Sequence, residues 1–404
     1  MTEHTNTPAL RFSEFRDEWN QNKLSDVVNV YDGTHQTPKY TNEGIKFLSV
    51  ENIKTLNSNK YISKEDFIKE FKIHPEYGDI LMTRIGDIGT PNIVNLKEPL
   101  AYYVSLALLK PININSYFLN SLILSPTVQN ELWRKTLHIA FPKKINKNEI
   151  AKVLINYPTF NEQEKIGYFF SKLDRQIELE EKKLELLEQQ KRGYMQKIFS
   201  QEIRFKDENG NDYPDWKEQK LEELGRFNSG VGFPEKYQGG NLGTPFFKVS
   251  DMNLPANKTL MNMANNYVTD QQINEKKWKV INDVPAVIFA KVGAAIMLNR
   301  KRIVIEPFLM DNNTMSYSFS THWDTNFGNI FFQTLNLPKY AQVGALPSYN
   351  SKDIGTISVN LPSLSEQQKI GDFFSKLDIF IEKQSDKIEL LKERKKGFLQ
   401  KMFI

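Results

Sequence analysis

Apolar residues recur at spacings of four and three in two long and otherwise charged stretches of the chain, one after Pro158 and one after Pro362. This spacing predicts helices with the narrow apolar seam of a coiled coil, and the charged flanks argue against burial in an ordinary core. Each helix would be about 54 Å long, from about 36 residues at 1.5 Å each. The predicted seam is Ile166, Phe170, Leu173, Ile177, Leu184 and Leu187, then Ile370, Phe374, Leu377, Ile381, Ile388 and Leu391.

The two stretches are copies of one another. Residues 161–199 and 365–403 agree at 22 of 39 positions without a gap, and they include KIGYFFSKLD and KIGDFFSKLD. A repeat with so long a period is not a solenoid and indicates a duplicated half-protein. We therefore expect the two helices to pair with each other.

Weaker correspondences precede each helix. Residues 45–53 (IKFLSVENI) match residues 244–252 (TPFFKVSDM), and residues 79–86 (DILMTRIG) match residues 286–293 (AVIFAKVG). These β-branched and aromatic runs, bounded by Gly, Pro, Asn and Asp, predict strands. Each half is therefore expected to contain a globular domain that mixes strands and helices.

The order of elements predicts an α/β (α+β) protein with a pseudo-twofold internal repeat. A shorter helix is expected late in each domain, at residues 117–138 and 325–337, and the polar residues 206–215 are expected to form the joint. The predicted segments are a globular domain at 1–157, a long helix at 158–200, a second globular domain at 201–361 and a second long helix at 362–404.

Composition narrows the class of protein. Hydrophobic residues make up 40% of the 404 residues and charged residues 25%, as in soluble globular proteins. Cysteine is absent, which excludes disulfides and thiolate metal sites and favours a reducing compartment. We find no apolar run that fits a signal peptide or a membrane span, so we expect a cytoplasmic protein. The net charge of +4 permits an anionic partner without requiring one.

Common catalytic motifs are missing from the sequence. No two prolines are adjacent, which excludes the Asn/Asp-Pro-Pro-aromatic motif of adenine methyltransferases. No Gly-Lys pair is present to end a phosphate-binding loop, and the five histidines lack the spacing of metal ligands. The sequence therefore predicts a chain with no catalytic residue, no metal and no cofactor of its own.

Two loops in each half combine hydrogen-bonding, aromatic and basic side chains. The early loop is residues 32–40 in the first half and 229–237 in the second, and the late loop is residues 138–148 and 344–352. Lys and Arg can hold phosphates or read guanine, Asn and Gln can read adenine, and Thr can meet a thymine methyl group. These loops are therefore candidate DNA contacts, although any single residue is about as often an ordinary solvated one.

The candidate DNA contacts of the first half are Thr34, His35, Gln36, Thr37, Lys39, Tyr40, Arg84, Lys143, Lys144, Asn146 and Lys147. Those of the second half are Ser229, Lys236, Tyr237, Lys291, Ser348, Tyr349, Asn350 and Lys352. Arg84 and Lys291 end matching strands, and their alternative role is an ion pair with a neighbouring carboxylate.

The chain resembles the specificity subunit of type I restriction–modification enzymes. The resemblance rests on the duplicated architecture, on DGTHQTPKYTNEGIKFLSVENI at residues 32–53, and on the pattern P-x-x-x-E-Q-x-K-I at residues 158–166 and 362–370. It implies two target recognition domains, each reading one half of a bipartite sequence in double-stranded DNA. It also implies that the helices form an antiparallel coiled coil that sets the spacing of the half-sites. The early loop of the second half departs from the pattern, because it lacks Thr-His-Gln.

The resemblance also implies partners. Two modification subunits would carry S-adenosylmethionine and the methyl-transfer chemistry, and restriction subunits would use ATP and Mg²⁺ for translocation and cleavage. This chain would then be a non-catalytic subunit, in agreement with its missing motifs. A coiled-coil scaffold or peptide-binding protein without DNA specificity is the main alternative, and an enzyme of unrecognised type is another.

Overall fold

The computed structural model describes residues 6–342, 344 and 346–404, and their contacts divide the chain into two compact units. Unit 1 runs to Lys183 and also contains Gln384–Ile404. Unit 2 is Leu184–Lys383. Each unit combines one globular domain with parts of both long helices, so the division by contact differs from the four consecutive segments predicted from the sequence.

The domain of unit 1 mixes strands and helices, as predicted. In chain order its elements, up to the first long helix, are β1 (Asn20–Lys23), β2 (Val28–Asp32), β3 (Ile45–Leu48), β4 (Tyr61–Ile62), α1 (Lys64–Glu70), β5 (Ile80–Ile85), β6 (Asp87–Ile93), β7 (Leu100–Tyr102), β8 (Leu106–Pro111), α2 (Ser116–Leu124), α3 (Pro126–Arg134), α4 (Lys147–Ala151), β9 (Leu154–Tyr157) and α5 (Phe160–Phe199). An antiparallel sheet has the order β2-β8-β5-β6, and a smaller sheet has the order β4-β3-β7. Strand β1 pairs with β9.

Both faces of the larger sheet in unit 1 are covered. Ile80 and Leu109 on one face pack with α2, α3 and the start of α5, whereas Leu81 and Leu108 on the other face pack with the smaller sheet. This explains why β5 is an almost continuous apolar run rather than an alternating one. The end of the chain, including Phe403, completes the first of these cores.

Unit 2 repeats this architecture. Its elements are β10 (Lys217–Lys220), α6 (Leu221–Leu224), β11 (Gly225–Ser229), β12 (Thr244–Phe247), β13 (Tyr267–Val268), α7 (Asp270–Lys276), β14 (Ala286–Ala290), β15 (Lys301–Val304), β16 (Leu309–Met310), β17 (Thr314–Phe319), α8 (Thr325–Thr334), α9 (Ser351–Gly355), β18 (Ser358–Leu361) and α10 (Leu364–Lys401). The sheets have the orders β11-β17-β14-β15, β13-β12-β16 and β10-β18. The strand predicted at residues 286–293 is β14. The strand predicted at residues 244–252 is β12 only in its first four residues, because Val249–Asn253 form a 3-10 helix, and the matching prediction at residues 45–53 is likewise shortened to β3.

Two helix predictions and one linker prediction need correction. The helix predicted at residues 117–138 is two helices, because Pro126 cannot continue α2 and Ser125 accepts a hydrogen bond from the Val128 amide to cap α3. In unit 2, α8 ends at Thr334, before the predicted residue 337. The polar residues 206–215 lie inside unit 2, where Lys206 bridges to Asp212, and do not join the compact units.

The repeated Glu-Gln dipeptide ties the start of α5 to the domain of unit 1. Arg11 donates two hydrogen bonds of 2.7 Å to the buried carboxylate of Glu162, and these bonds raise the pKa of Arg11. Gln163 accepts a hydrogen bond of 2.9 Å from the Asn115 amide, just before α2, and donates one to the Pro158 carbonyl. The motif therefore has a structural role at the beginning of the helix.

Unit 2 builds the same anchor from the second copy of the motif. Arg204 donates to Glu366 at 3.1 and 2.8 Å, and the Trp216 ring nitrogen donates to Glu366 at 3.1 Å. Gln367 accepts from the Asp324 amide at 2.9 Å, just before α8. The two arginines lie in matching triplets of the sequence, LRF at residues 10–12 and IRF at residues 203–205, so the partners of the two buried glutamates are repeated as well.

A repeated glycine lets each long helix approach its domain closely. A Cβ atom on Gly167 would lie 2.8 Å from the Phe118 amide nitrogen, and one on Gly371 would lie 2.8 Å from the Phe327 amide nitrogen. Any side chain at either position would therefore collide with backbone at the start of α2 or α8. This close approach explains part of the repeated Lys-Ile-Gly sequence.

The two long helices run antiparallel in each unit. In unit 1 the rings of Phe169 and Phe398 are 5.0 Å apart, and further along α5 Glu180 accepts hydrogen bonds from Gln384 and Lys387 at 2.7 and 2.5 Å. As residue numbers rise along α5, the numbers of the residues that they contact on α10 fall, as in an antiparallel pair. The helices contain 40 and 38 residues, slightly more than predicted.

Unit 2 repeats the antiparallel pairing with the other copy of the sequence. Lys191 pairs with Asp378 at 2.5 Å, whereas in unit 1 the equivalent residues Lys395 and Asp174 form the ion pair. The same ion pair is thus made twice with the roles of the helices exchanged, as a pseudo-twofold repeat requires. The predicted fold class is confirmed.

Candidate nucleic-acid interface

The side chain of Arg84 joins the two candidate loops of unit 1. It lies at the end of β5, where it pairs with Asp32 at the start of the early loop and donates a 2.9 Å hydrogen bond to the Ile145 carbonyl in the late loop. Arg84 is only 4% exposed. This burial favours the alternative role, an ion pair with a neighbouring carboxylate, over the predicted DNA contact. Arg84 is a positioning residue that holds both loops at one strand end.

The early loop of unit 1 presents its side chains to solvent. Thr34 is half-buried and its backbone pairs with Tyr102 and Val104, so the start of the loop is fixed to the sheet. The Thr34 hydroxyl also accepts a hydrogen bond from the Gln36 amide at 3.3 Å, which shapes the turn. The exposed candidate residues of this loop are His35, Gln36, Thr37, Lys39 and Tyr40.

The late loop of unit 1 is a hairpin whose base rests on the end of β5. The Leu137 amide donates to the Lys144 carbonyl and the Gly86 amide donates to the Lys143 carbonyl, both at 2.8 Å. The Lys143 amine lies 4.5 Å from the centre of the Trp133 ring. The exposed candidate residues of this loop are Lys143, Lys144, Asn146 and Lys147, of which Asn146 also precedes α4.

The loops of unit 2 have the same backbone frame. Val231 bridges to Asp311 as Thr34 bridges to Tyr103, which aligns the early loops as the sequence predicts. In the late loop the Gly293 amide donates to the Pro347 carbonyl at 2.8 Å, the counterpart of the bond from Gly86 to Lys143. The two units therefore hold equivalent loops on equivalent strand ends.

Two tyrosines of unit 2 are placed differently from their prediction as DNA contacts. Tyr349 is 5% exposed and its hydroxyl donates to the Ala290 carbonyl, and burial raises its pKa. Tyr237 is 6% exposed and its hydroxyl donates to Glu275. Both side chains serve the core, because each ring is covered by its own domain.

The other candidates of unit 2 are accessible to different degrees. Lys291 and Ser348 are half-buried, and the Asn350 side chain accepts hydrogen bonds from the Lys352 and Asp353 amides, which caps α9. The exposed candidates are Ser229, Lys236, Asn350 and Lys352. A direct DNA contact by any of these residues remains a prediction.

The early loops differ in how they fill the space beside the smaller sheet. In unit 2, the Phe233 ring stacks on Phe246 with centres 3.7 Å apart and planes 6° apart. The equivalent position in unit 1 is the polar Gln36, and a cleft of about 330 Å³ lies beside the loop, lined by Thr37, Tyr40, Phe47 and others. One frame thus presents two different surfaces.

The predicted coiled-coil seam faces inward along both helices. Ile166, Phe170, Ile370 and Phe374 near the helix starts are almost completely buried in the domain cores. Ile177, Ile388 and Leu391 are also buried, and the half-buried members of the predicted seam are Leu173, Leu184, Leu187, Leu377 and Ile381.

Neither a metal centre nor a membrane span is found in the part of the chain that the structure describes. Within residues 6–342, 344 and 346–404, no three His, Asp or Glu side chains are grouped so that they could hold a metal ion. No helix in the same ranges is long and apolar enough to cross a bilayer.

Comparison with known proteins decides the family. A model of the type I restriction modification DNA specificity domain matches residues 16–189 and 213–393, one match in each half of the chain. The chain belongs to this family. It is thus a type I specificity protein with two DNA specificity domains, and the family is one of non-catalytic DNA recognition subunits.

Two relatives are specificity subunits of type I restriction enzymes. The chain is 24% identical to the putative type I restriction enzyme MjaX specificity subunit of Methanocaldococcus jannaschii, over 97% of this chain and 94% of the relative. It is 23% identical to the MjaVIII specificity subunit of the same organism, over 51% of each.

Two solved structures share the fold. The S subunit of a type I restriction-modification system from M. genitalium superposes with a TM-score of 0.60 at 15% identity, and the match covers 98% of this chain and 99% of that one. A chain from a study of complex assembly and conformational transition of the type I R-M system gives a TM-score of 0.55 at 13% identity, with 94% and 96% covered.

Sequence reasoning missed several residues of the candidate loops. It did not identify Asp32, which positions Arg84, or the apolar residues Ile139 and Phe141 at the tip of the late loop. The available signal was the apolar sequence His-Ile-Ala-Phe-Pro inside a lysine-rich loop at residues 138–142. The sequence alone does not show which residues or molecules an apolar run in a loop contacts.

Proposed function

We propose that this specificity chain recognises a bipartite DNA target, with one half-site read by the loops of each unit. The observation that carries the proposal is the repeated loop frame: equivalent backbone bonds hold the early loops at the ends of β7 and β16 and the late loops at the ends of β5 and β14. The side chains on that frame differ, as Gln36 and Phe233 illustrate. A shared frame with different side chains is suited to two half-sites of different sequence.

The proposed partners follow from the resemblance. Two modification subunits that carry S-adenosylmethionine would bind symmetry-related positions on the duplicated helices, and restriction subunits that use ATP and Mg²⁺ would complete the enzyme. The pseudo-twofold ion pairs Asp174–Lys395 and Asp378–Lys191 support equivalent positions for two identical partners. We place this complex in the cytoplasm, where DNA is available to it.

Replacing Lys39, Lys143 and Lys144 together with alanine is expected to weaken binding to every DNA sequence. Each lysine that holds a phosphate releases counterions on binding, so the slope of log K against log salt should become shallower by about 0.9 for each phosphate that is no longer held. Titrations of the full-length chain with duplex DNA at several salt concentrations measure this slope. Lys69→Ala on α1 is the matched control and should keep the wild-type slope.

Gln36→Ala should behave differently from the lysine variant. If Gln36 makes a bidentate contact with a base, its removal should relax one position of one half-site by roughly 1–3 kcal/mol and leave the salt slope unchanged. Competition between duplexes that differ at single positions measures this change. Wild-type affinity, salt slope and specificity in both variants would show that the chosen loops do not contact DNA.

A further inference from the structure

Two large apolar side chains stand uncovered at the tip of the late loop of unit 1. Ile139 is 99% exposed and Phe141 is 104% exposed. Single exposed apolar residues are ordinary on protein surfaces. These two are separated by one residue and lie in the same hairpin, so they are neighbouring exposed apolar residues and not isolated ones. We call Ile139 and Phe141 the apolar tip.

The base of this hairpin is attached to the domain, although its tip is uncovered. The bonds from Leu137 to Lys144 and from Gly86 to Lys143 tie it to the sheet, and the His138 ring lies 4.5 Å from Trp133. Trp133 in turn lies beneath the Lys143 amine. The loop therefore presents the apolar tip from a fixed position on the domain.

The surroundings of the apolar tip are basic. Residues 133–152 contain six Lys or Arg and one acidic residue, Glu149, which pairs with Lys152. Lys143, Lys144 and Lys147 are exposed. An apolar tip on a loop rich in exposed lysines is complementary to a polyanion with an apolar interior, and duplex DNA with its stacked bases is such a partner. An uncharged apolar groove on a protein would not need the lysines.

Unit 2 presents an apolar residue at the corresponding place. The bonds from Gln342 to Ser348 and from Gly293 to Pro347 form the same hairpin base, and Leu346 beyond it is 66% exposed. Val343 and Ala345 of this loop lie outside the described residues. Both copies of the frame thus present at least one exposed apolar side chain at this place, two in unit 1 and Leu346 in unit 2.

We propose that the apolar tip of unit 1 inserts between adjacent base pairs of the bound duplex, and that Leu346 does the same at the other half-site. Apolar side chains used in this way partly unstack a base step and kink the DNA by roughly 20–90°. Pyrimidine–purine steps unstack most easily, so insertion would add sequence preference without hydrogen bonds to base edges. The inference rests on the proposed function, because only a duplex held by these loops can receive the tip.

The test uses the full-length chain and a duplex that the wild-type chain has selected from a random pool. Dyes at the two ends report the kink by energy transfer, and 2-aminopurine in place of single adenines locates the unstacked step. Binding of the wild type should kink the duplex in both half-sites. The variant Ile139→Ala/Phe141→Ala should lose the kink in one half-site and bind roughly 10- to 100-fold more weakly, as expected when one base loses a stacking partner on the protein.

Two further variants make the test specific. Leu346→Ala should lose the kink in the other half-site, and Ile68→Ala, which removes a 74% exposed side chain from α1, should keep both. Wild-type kinking and affinity in the Ile139→Ala/Phe141→Ala variant would overturn the inference, as would a straight duplex in the wild-type complex. Failure of the wild-type chain to select any sequence would instead overturn the proposed function, and the insertion with it.

Discussion

Inserting one heptad into each long helix is expected to lengthen the unread spacer of the DNA target by about three base pairs. Seven residues add about 10 Å of helix at 1.5 Å per residue. One base pair occupies about 3.4 Å of duplex. Because α5 and α10 are uninterrupted and each contributes residues to both units, their length is the proposed ruler for the half-sites.

The insertions can be designed to preserve the pairing between the helices. A copy of residues 179–185 is placed after Glu185 in α5, and a copy of residues 383–389 is placed after Glu389 in α10. In the antiparallel pairing, each added block faces the original block of the partner helix, so the hydrogen bonds of Glu180 with Gln384 and Lys387 can form twice. The heptad phase is kept on both sides of the insertion.

Mapping of methylated adenines in cells that carry the variant and its modification subunits measures the new spacer. A single-residue insertion at the same two places is the control, because it turns the following seam by about 100° and should destabilise the chain without giving a new defined spacing. An active heptad variant that keeps its original spacer would show that the helices do not set the distance.

Arg11→Ala is expected to destabilise unit 1 by roughly 3–5 kcal/mol, because it leaves the carboxylate of Glu162 buried without its partner. Glu162 is 1% exposed and takes both of its strong hydrogen bonds from Arg11. Arg204→Ala should destabilise unit 2 in the same way, since Glu366 is completely buried. These glutamates begin the long helices, so either substitution should loosen the attachment of helix to domain.

Urea unfolding followed by hydrogen exchange assigns the destabilisation to one unit. Arg175→Ala is the matched control: Arg175 pairs with Glu178 on the exposed surface of α5 at 2.8 Å, and such pairs are worth at most about 1 kcal/mol. The double variant Arg11→Met/Glu162→Leu should recover most of the stability, because it removes both charges. A destabilisation by Arg11→Ala as small as that by Arg175→Ala would contradict the proposed anchor.

The helix seam was predictable from the period of its apolar residues, and the strands were predictable from their apolar runs. The heptad spacing identified Phe170 and Phe374 as inward-facing, and the apolar runs located β5 and β14. The spacing of apolar residues shows which face of a helix is covered, and the same spacing occurs in both long helices. The helix break at Pro126 was also encoded locally, but the prediction at residues 117–138 gave the apolar pattern more weight than the proline.

The roles of side chains at strand ends were not predictable in the same way. Arg84 and Lys291 occupy matching positions, yet Arg84 is the one that meets a carboxylate, that of Asp32 at the start of the early loop. Whether such a cation meets a carboxylate or a phosphate depends on which loops fold over it, and these loops are distant in sequence. The burial of Tyr349 was not predictable for the same reason, because its partner is the Ala290 carbonyl, 59 residues earlier.

The repeated Glu-Gln dipeptide was visible in the sequence, but its structural role was not. It supported the resemblance, but its chemistry became clear only when Glu162 met Arg11 and Gln163 met the Asn115 amide in space. What the two copies share are contacts between helix and domain. What differs between them is concentrated in the loops, as expected if both halves keep one frame and read different DNA.

The central claim, that each unit reads its own half of one DNA target, is tested most directly by selecting duplexes from a random pool with the full-length chain. Sequencing the bound duplexes should yield two short conserved blocks separated by an unread spacer of constant length. One uninterrupted block, a spacer of variable length, or no enrichment at all would contradict the account.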